Sequence, residues 1–182
     1  MWDIPKPKPV KLIMAMMAAS PAAMDRARDT VEQAFGSLDL MSPMWDFTQT
    51  KYYRDEMGEQ VQRQFVTVRD LIHPERLAAI KHQTNQMERD LAQKLGPDLP
   101  RPVNLDPGIV EPSKLVLATT KNFSHRIYIG QNMYAEVTLM FHKGQWQALP
   151  FTFPDYASGR YFDFLNQVRL RVVEQLKQQG AA

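Results

Sequence analysis

The sequence predicts an α+β fold of one domain: a ferredoxin-like βαββαβ first half, continued by an antiparallel β-meander and a C-terminal helix. Up to about residue 108 the chain alternates strand, helix, strand, strand, helix, strand, the order of a split βαβ sandwich. From Lys114 the pattern changes to short β-branched or aromatic runs separated by turn signals, as in a meander. The 182 residues, 44% hydrophobic and 23% charged, lie within ordinary single-domain usage. The proline- and lysine-rich start, residues 1–9, is expected to be a flexible segment. The domain proper is expected over 10–182, with sub-parts 10–108 and 109–182.

Each element has its own local reason. Lys6, Lys8 and Lys11 before the apolar run Leu12–Ala19 have the layout of a short secretory signal. Three prolines break up the basic part, however, and the apolar run holds only eight residues. That run suits a strand over Val10–Met17 buried on both faces. Ser20-Pro21 then supplies an N-cap and a first-turn proline, an apolar stripe runs from Met24 to Phe35, and Gly36 stands at the C-cap. Leu38–Phe47, interrupted by Pro43, reads as an edge or bent strand. Thr48–Gly58 is a polar and aromatic excursion before a strand near Val61–Arg69. A second helix opens at Pro74, repeats its apolar positions at threes and fours from Leu77 to Leu95, and closes at Gly96-Pro97.

Val103–Leu105 reads as a short extended piece, and Asn104-Leu105-Asp106-Pro107-Gly108 as a turn, because Asp and Asn bond their own backbone and proline presets φ. The meander strands are Lys114–Thr120, Arg126–Ile129, Tyr134–Phe141 and Trp146–Leu149, and an amphipathic helix spans Gly159–Gln178. No apolar run approaches the ~20 residues of a membrane span, so a cytoplasmic protein without a membrane partner is expected.

Composition excludes several chemistries. With no cysteine there is no disulfide framework, thiolate nucleophile or cysteine-bound metal. Lys and Arg total 22 against 20 Asp and Glu, so nucleic acid is neither required nor excluded, and anion binding would depend on local clustering. There is no GxxxxGK[ST], GxGxxG, HExxH or GxSxG.

Polar residues cluster instead in the meander. Alternation in Tyr134–Phe141 places Ala135, Val137, Leu139 and Phe141 on the core, and leaves Glu136 and Thr138 on the opposite, solvated face, where Arg126 and Tyr128 of the neighbouring strand join them. Ordinary cross-strand charge pairing would produce the same pattern. Lys114, Lys121, His125 and Arg126 supply cationic or titratable groups around one hairpin. Asp106 sits in its turn, and Asp155 or Ser158 is placed to cap the last helix.

The ordered motifs Phe47-x-x-Thr50-x-Tyr52-Tyr53-x-x-Glu56-Met57-Gly58, Asn104-x-Asp106-Pro107-Gly108, Leu117-Ala118-Thr119-Thr120-Lys121, His125-Arg126-Ile127-Tyr128, Glu136-Val137-Thr138-Leu139 and Pro154-Asp155-Tyr156 extend over nearly the whole chain. Together they resemble a bacterial family of unknown function, domain of unknown function 4416. The resemblance implies no reaction. Some members carry a GTP-binding label, whereas this chain lacks the phosphate loop. It does mark a shared polar set: Thr50, Tyr53, Glu56, Asn104, Asp106, Lys121, His125, Arg126, Glu136, Thr138, Asp155 and Tyr156.

These residues lead to the expectation of a small anionic, phosphorylated ligand, a nucleotide among the candidates, in a polar pocket at the meander strand ends. Lys121 and Arg126 would neutralise it, with Thr50, Tyr53, Asn104 and Thr138 as further binding residues. His125, Glu136 and Asp155 are the catalytic candidates, and Asp106, Glu136 and Asp155 would hold a divalent metal. Two other readings compete. A non-catalytic interaction module would use Trp45, Tyr52, Tyr53 and Trp146 as an aromatic contact surface. An RNA-binding sheet would use Arg126, Tyr128 and Tyr134.

Overall fold

In the computed structural model, which describes residues 3–48, 54–96 and 98–180, the first apolar run forms strand β1 (Val10–Ala18), buried at every position. Helix α1 (Pro21–Phe35) begins where the Ser20 hydroxyl accepts a hydrogen bond from the Ala23 N–H at 3.2 Å. Strands β2 (Leu38–Met41) and β3 (Trp45–Asp46) flank Pro43, and both pair with β4 (Gln62–Ile72). The short helix α2 (Arg54–Met57) precedes β4, and a 3₁₀ turn at Pro74–Arg76 leads into α3 (Leu77–Leu95). Then come β5 (Val103–Glu111), β6 (Lys114–Thr119), β7 (Ile127–Gly130), β8 (Met133–His142), β9 (Gln145–Ala148), α4 (Pro154–Ala157) and α5 (Phe162–Gln178).

One antiparallel sheet runs β2-β4-β1-β5-β6-β8-β7, with β3 also on β4 and β9 also on β8. Its β2-β4-β1-β5 portion is the ferredoxin-like arrangement: the strand after α1 is separated from β1 by β4, so the two crossovers interleave. The β5–β6 pairing joins this half to the meander. Helices α1 and α3 cover one face, packing on Leu12, Met14, Met16, Leu105 and Ile109. Helices α4 and α5 cover the other, where Tyr156, Tyr161, Leu165 and Val168 pack on Ile13, Ala15, Phe65 and Val110. β1 is therefore clad on both sides, which is why its sequence is apolar without alternation. Its one buried charge, Lys11, donates to Asp39 at 2.5 Å, to the Arg69 carbonyl at 2.8 Å and to Gln175 at 2.9 Å. Burial pushes that ammonium's pKa down.

Three local expectations are corrected. The Asn104–Gly108 segment is no turn but the middle of β5, paired with β1 from Ala18↔Val103 to Lys11↔Val110. Turn chemistry was a sound local reading of Asp-Pro-Gly, but long-range pairing with β1 overrides it. The Leu105 N–H points away from β1, to Glu88. By two-residue alternation the Pro107 nitrogen faces the same way, so proline removes no bond from the β1 ladder.

In β8 the simple alternation fails. Leu115 pairs with Leu139 and Val116 with Val137, so Thr138 is an extra, unpaired residue, a β-bulge. Glu136 and Leu139 consequently face the same, helix-covered side. Glu136 is 3% and Thr138 0% exposed, not solvated, whereas the apolar Ile127 is exposed on β7 at the sheet edge.

The caps also differ. Phe153 precedes α4 and Tyr161 precedes α5, neither with a side-chain cap bond. Asp155 lies buried inside α4, and the Ser158 hydroxyl donates to the Asp155 carbonyl.

Gly108 shows how tightly β5 meets β6. A Cβ there would stand 2.6 Å from both the Leu117 side chain and the Val116 carbonyl oxygen. The carbonyl cannot move without breaking the ladder, so Gly108→Ala is expected to lower stability by about 1–3 kcal/mol, read from denaturant unfolding. An unchanged midpoint would contradict this close approach.

Candidate functional site

The β5–β6 ladder begins at Glu111↔Lys114 and ends at Gly108↔Leu117. At the next pair Pro107 has no N–H to offer β6, and the strands part. The exposed edge of β5 is closed by side chains from α3. Lys81 and Glu88, two turns apart, lie on the stripe that also buries Leu77, Ile80, Thr84 and Leu91. Glu88 Oε1 accepts the Leu105 N–H at 2.7 Å, and Lys81 Nζ donates to the Leu105 carbonyl at 3.1 Å and to Asp106 Oδ1 at 3.0 Å. Both backbone groups of Leu105 thus find partners where no strand is present.

Further bonds extend this wall. Glu88 Oε2 accepts from Arg101 Nε at 3.1 Å and Nη2 at 2.8 Å, Arg101 also donates to Asn104 Oδ1, and Asn104 Nδ2 donates to Asp106 Oδ2 at 2.6 Å. Burial alone would raise the Asp106 pKa. The Lys81 charge and the hydrogen bonds from Lys81 and Asn104 outweigh it and hold the carboxyl below its ordinary value. For Glu88 burial prevails over Lys81 and Arg101, and its pKa is raised.

The facing wall comes from the meander. β6 ends in Thr119, followed by Thr120 and Lys121, and the β8 bulge turns Glu136 inward beside them. Glu136 Oε2 accepts from Arg126 Nε at 2.8 Å and contacts His125 Nε2 at 3.0 Å. Arg126 Nη1 donates to the Lys121 carbonyl at 3.1 Å. The His125 ring stacks on Phe151, centroids 4.4 Å apart. Glu136 Oε1 is buried with no hydrogen-bond partner among the described residues. An unmet buried acceptor of this kind costs about 1–3 kcal/mol.

Between the walls lies a hollow of about 210 Å³, lined among others by Lys81, Arg101, Lys121 and Arg126, with Asp106 and Glu136 as its two carboxylates. Thr119, Thr120, Asn85 and Asn104 add hydroxyls and amides, and Phe153 an aromatic side. Four cationic groups therefore line the hollow, with Asp106 bonded to Lys81, Glu136 to Arg126 and Glu88 to Arg101.

The structure thus brings Asn104, Asp106, Lys121, Arg126 and Glu136 to one hollow. His125 stands behind Glu136, and the Thr138 carbonyl accepts from Thr152 at 2.6 Å in the bulge. Asp155 belongs to a different, fully buried group. Its Oδ2 lies 3.5 Å from Arg63 Nε and accepts from the Tyr161 hydroxyl at 3.3 Å, while Arg63 Nη1 donates to the Tyr156 hydroxyl at 3.3 Å. Burial raises the pKa of Tyr156 and pushes that of Tyr161 up to about 12. Thr50, Tyr52 and Tyr53 lie outside the described residues. Trp146 is 3% exposed and packs on Phe141, and Trp45 contacts Phe65 and Tyr161, so these tryptophans belong to the core and not to an aromatic contact surface.

The three carboxylates expected to hold a metal do not converge. Asp106 is bonded to Lys81, Glu136 to Arg126, and Asp155 is paired with Arg63. Among the described residues no group of three or more His, Asp or Glu could hold an ion. Nor is any helix, among those residues, long and apolar enough to cross a membrane.

Sequence reasoning missed Lys81, Glu88, Arg101 and Arg63. A signal existed for three of them: Lys81 and Glu88 interrupt an apolar helical stripe, and Arg63 shares the inward parity of Phe65 in β4, positions where a charge is buried only with a partner.

A ferredoxin-like sheet extended by a meander, with a polar hollow where the two halves part, defines an α+β protein with a cleft at their junction. The family model described as Domain of unknown function (DUF4416) matches residues 8–171, and the chain belongs to that family. No curated protein and no solved structure matches it.

Because the Asp106 pKa is lowered in the folded protein, its contribution to stability is fully present above the ordinary carboxylate value of 3.8. It is lost as pH falls through the lower folded value. The stability gap between wild type and Asp106→Asn is therefore expected to be constant near neutrality and to narrow below about pH 4. Denaturant unfolding at a series of pH values reads this, and a gap independent of pH would contradict the Lys81–Asp106 coupling.

Proposed function

We propose that the protein binds a compact anionic metabolite, phosphorylated in the simplest case, in the hollow between β5 and β6. The observation that carries this reading is the convergence of Lys81, Arg101, Lys121 and Arg126 on one hollow. Cations gathered in a partly desolvated concavity attract an anion far more strongly than the same charges dispersed in water. The lining Thr119 and Thr120 hydroxyls and Asn85 amide suit the oxygens of a phosphate or carboxylate. At about 210 Å³ the hollow is smaller than the ~300–1,000 Å³ of sites for drug-sized ligands, which favours a small anion over a whole nucleotide. His125 is held against Glu136, so binding, and not proton transfer from His125 to the ligand, is the function this geometry supports best.

The test is thermal unfolding with inorganic phosphate and small sugar phosphates, with sodium chloride as the ionic-strength control. A ligand at about 100 times its Kd adds roughly 2.7 kcal/mol, a rise of roughly 5–10 °C for a domain of this size. The rise is expected to shrink severalfold in Arg126→Gln and Lys121→Ala, each checked for a native circular dichroism spectrum. No rise with any of these anions, or an equal rise in the folded variants, would contradict the proposal.

A further inference from the structure

The structure assigns a second requirement to the ligand of this hollow: beside its anionic group it carries a hydroxyl, which Glu136 recognises. The inference rests on the anion-binding reading and specifies its substrate class as a phosphorylated polyol or sugar. Glu136 lines the hollow, yet its side chain is only 1% exposed. Arg126 and His125 both engage Oε2, fixing the carboxylate by one oxygen and leaving Oε1 buried without a partner among the described residues. Buried acceptors are almost always satisfied, and a fully ionised phosphate ester has nothing to donate to this one. The missing partner is a donor on the ligand.

The chemistry of the surroundings narrows that donor. An ammonium would satisfy a carboxylate, but it would enter a hollow already lined by Lys81, Arg101, Lys121 and Arg126, where like charge opposes it. A neutral hydroxyl meets no such opposition. The hollow also shares Asn85, Arg101 and Thr120 with an adjoining open groove of about 490 Å³. That groove is lined by Glu88, Arg89 and Gln93 as well, and by no aromatic side chain among the described residues. A nucleobase would find no ring to stack on there, whereas further hydroxyls would find amide, guanidinium and carboxylate partners.

Isothermal titration of wild-type protein with inorganic phosphate, n-propyl phosphate, glycerol 3-phosphate, ribose 5-phosphate and 3-aminopropyl phosphate tests this. Glycerol 3-phosphate or ribose 5-phosphate is expected to bind about tenfold or more tighter than n-propyl phosphate, the scale of one hydrogen bond to a charged acceptor, with the aminopropyl compound no tighter than n-propyl phosphate. In Glu136→Gln, Arg126 keeps the amide oxygen and the NH₂ group replaces Oε1. The charged acceptor is then lost and the NH₂ group can only donate to the hydroxyl oxygen, a weaker bond, so the hydroxyl preference should fall severalfold while phosphate binding persists. If that variant does not fold, the wild-type comparison alone decides. Equal binding of the hydroxylated and propyl phosphates overturns the hydroxyl requirement and leaves the anion site standing. Preference for the amine overturns the choice of donor. Failure of inorganic phosphate and every ester to bind overturns both readings.

Discussion

The site exists because one residue of a central strand cannot donate a hydrogen bond. Pro107 sits on β5 with its nitrogen turned toward β6, at the first pair beyond Gly108↔Leu117. An ordinary residue would continue the ladder there. With proline the ladder stops, while pairing with β1 continues unbroken on the other edge. The neighbouring Leu105 would then carry two unsatisfied backbone groups into the interior, and Lys81 and Glu88 of α3 supply what the absent strand does not. The same two side chains bring charge to the cleft: Lys81 pairs with Asp106 and Glu88 with Arg101. A backbone deficiency has become a polar wall.

The opposite wall depends on a second irregularity of the same kind. The bulge at Thr138 shifts β8 by one residue relative to β6 and so turns Glu136 toward the helix-covered face and the cleft, where Arg126 and His125 meet it. Either a regular β5 or a regular β8 would remove half of the cleft. Each wall comes from a different half of the chain, so the cleft is a property of their junction.

Element order was legible in the sequence because each helix has a start, a stripe and a stop that act over a few residues: Ser20-Pro21 with Gly36, and Pro74 with Gly96. The residues that gather at the cleft were partly legible, since Asp106 and Glu136 are polar groups in otherwise apolar strands and Lys121 and Arg126 are cations in the connection between β6 and β7. What could not be read locally was anything set by pairing. Asp-Pro-Gly has the same chemistry in a turn and in β5, and only β1 decides between them. Parity along β8 assumes an unbroken register, and a bulge is invisible until β6 is placed beside it. Lys81 and Glu88 look like helix surface unless the apolar stripe they interrupt is counted, and their partner is a main-chain amide with no sequence signature.

The claim that side chains of α3 replace a missing strand along β5 is tested most directly by amide hydrogen exchange at Leu105, followed by NMR. That amide is expected to be protected in the wild type as strongly as the ladder amides of β5. In Glu88→Ala it should lose most of its protection while amides paired with β1 keep theirs. Rapid exchange at Leu105 in the wild type, or protection unchanged by loss of the Glu88 carboxylate, would contradict the account.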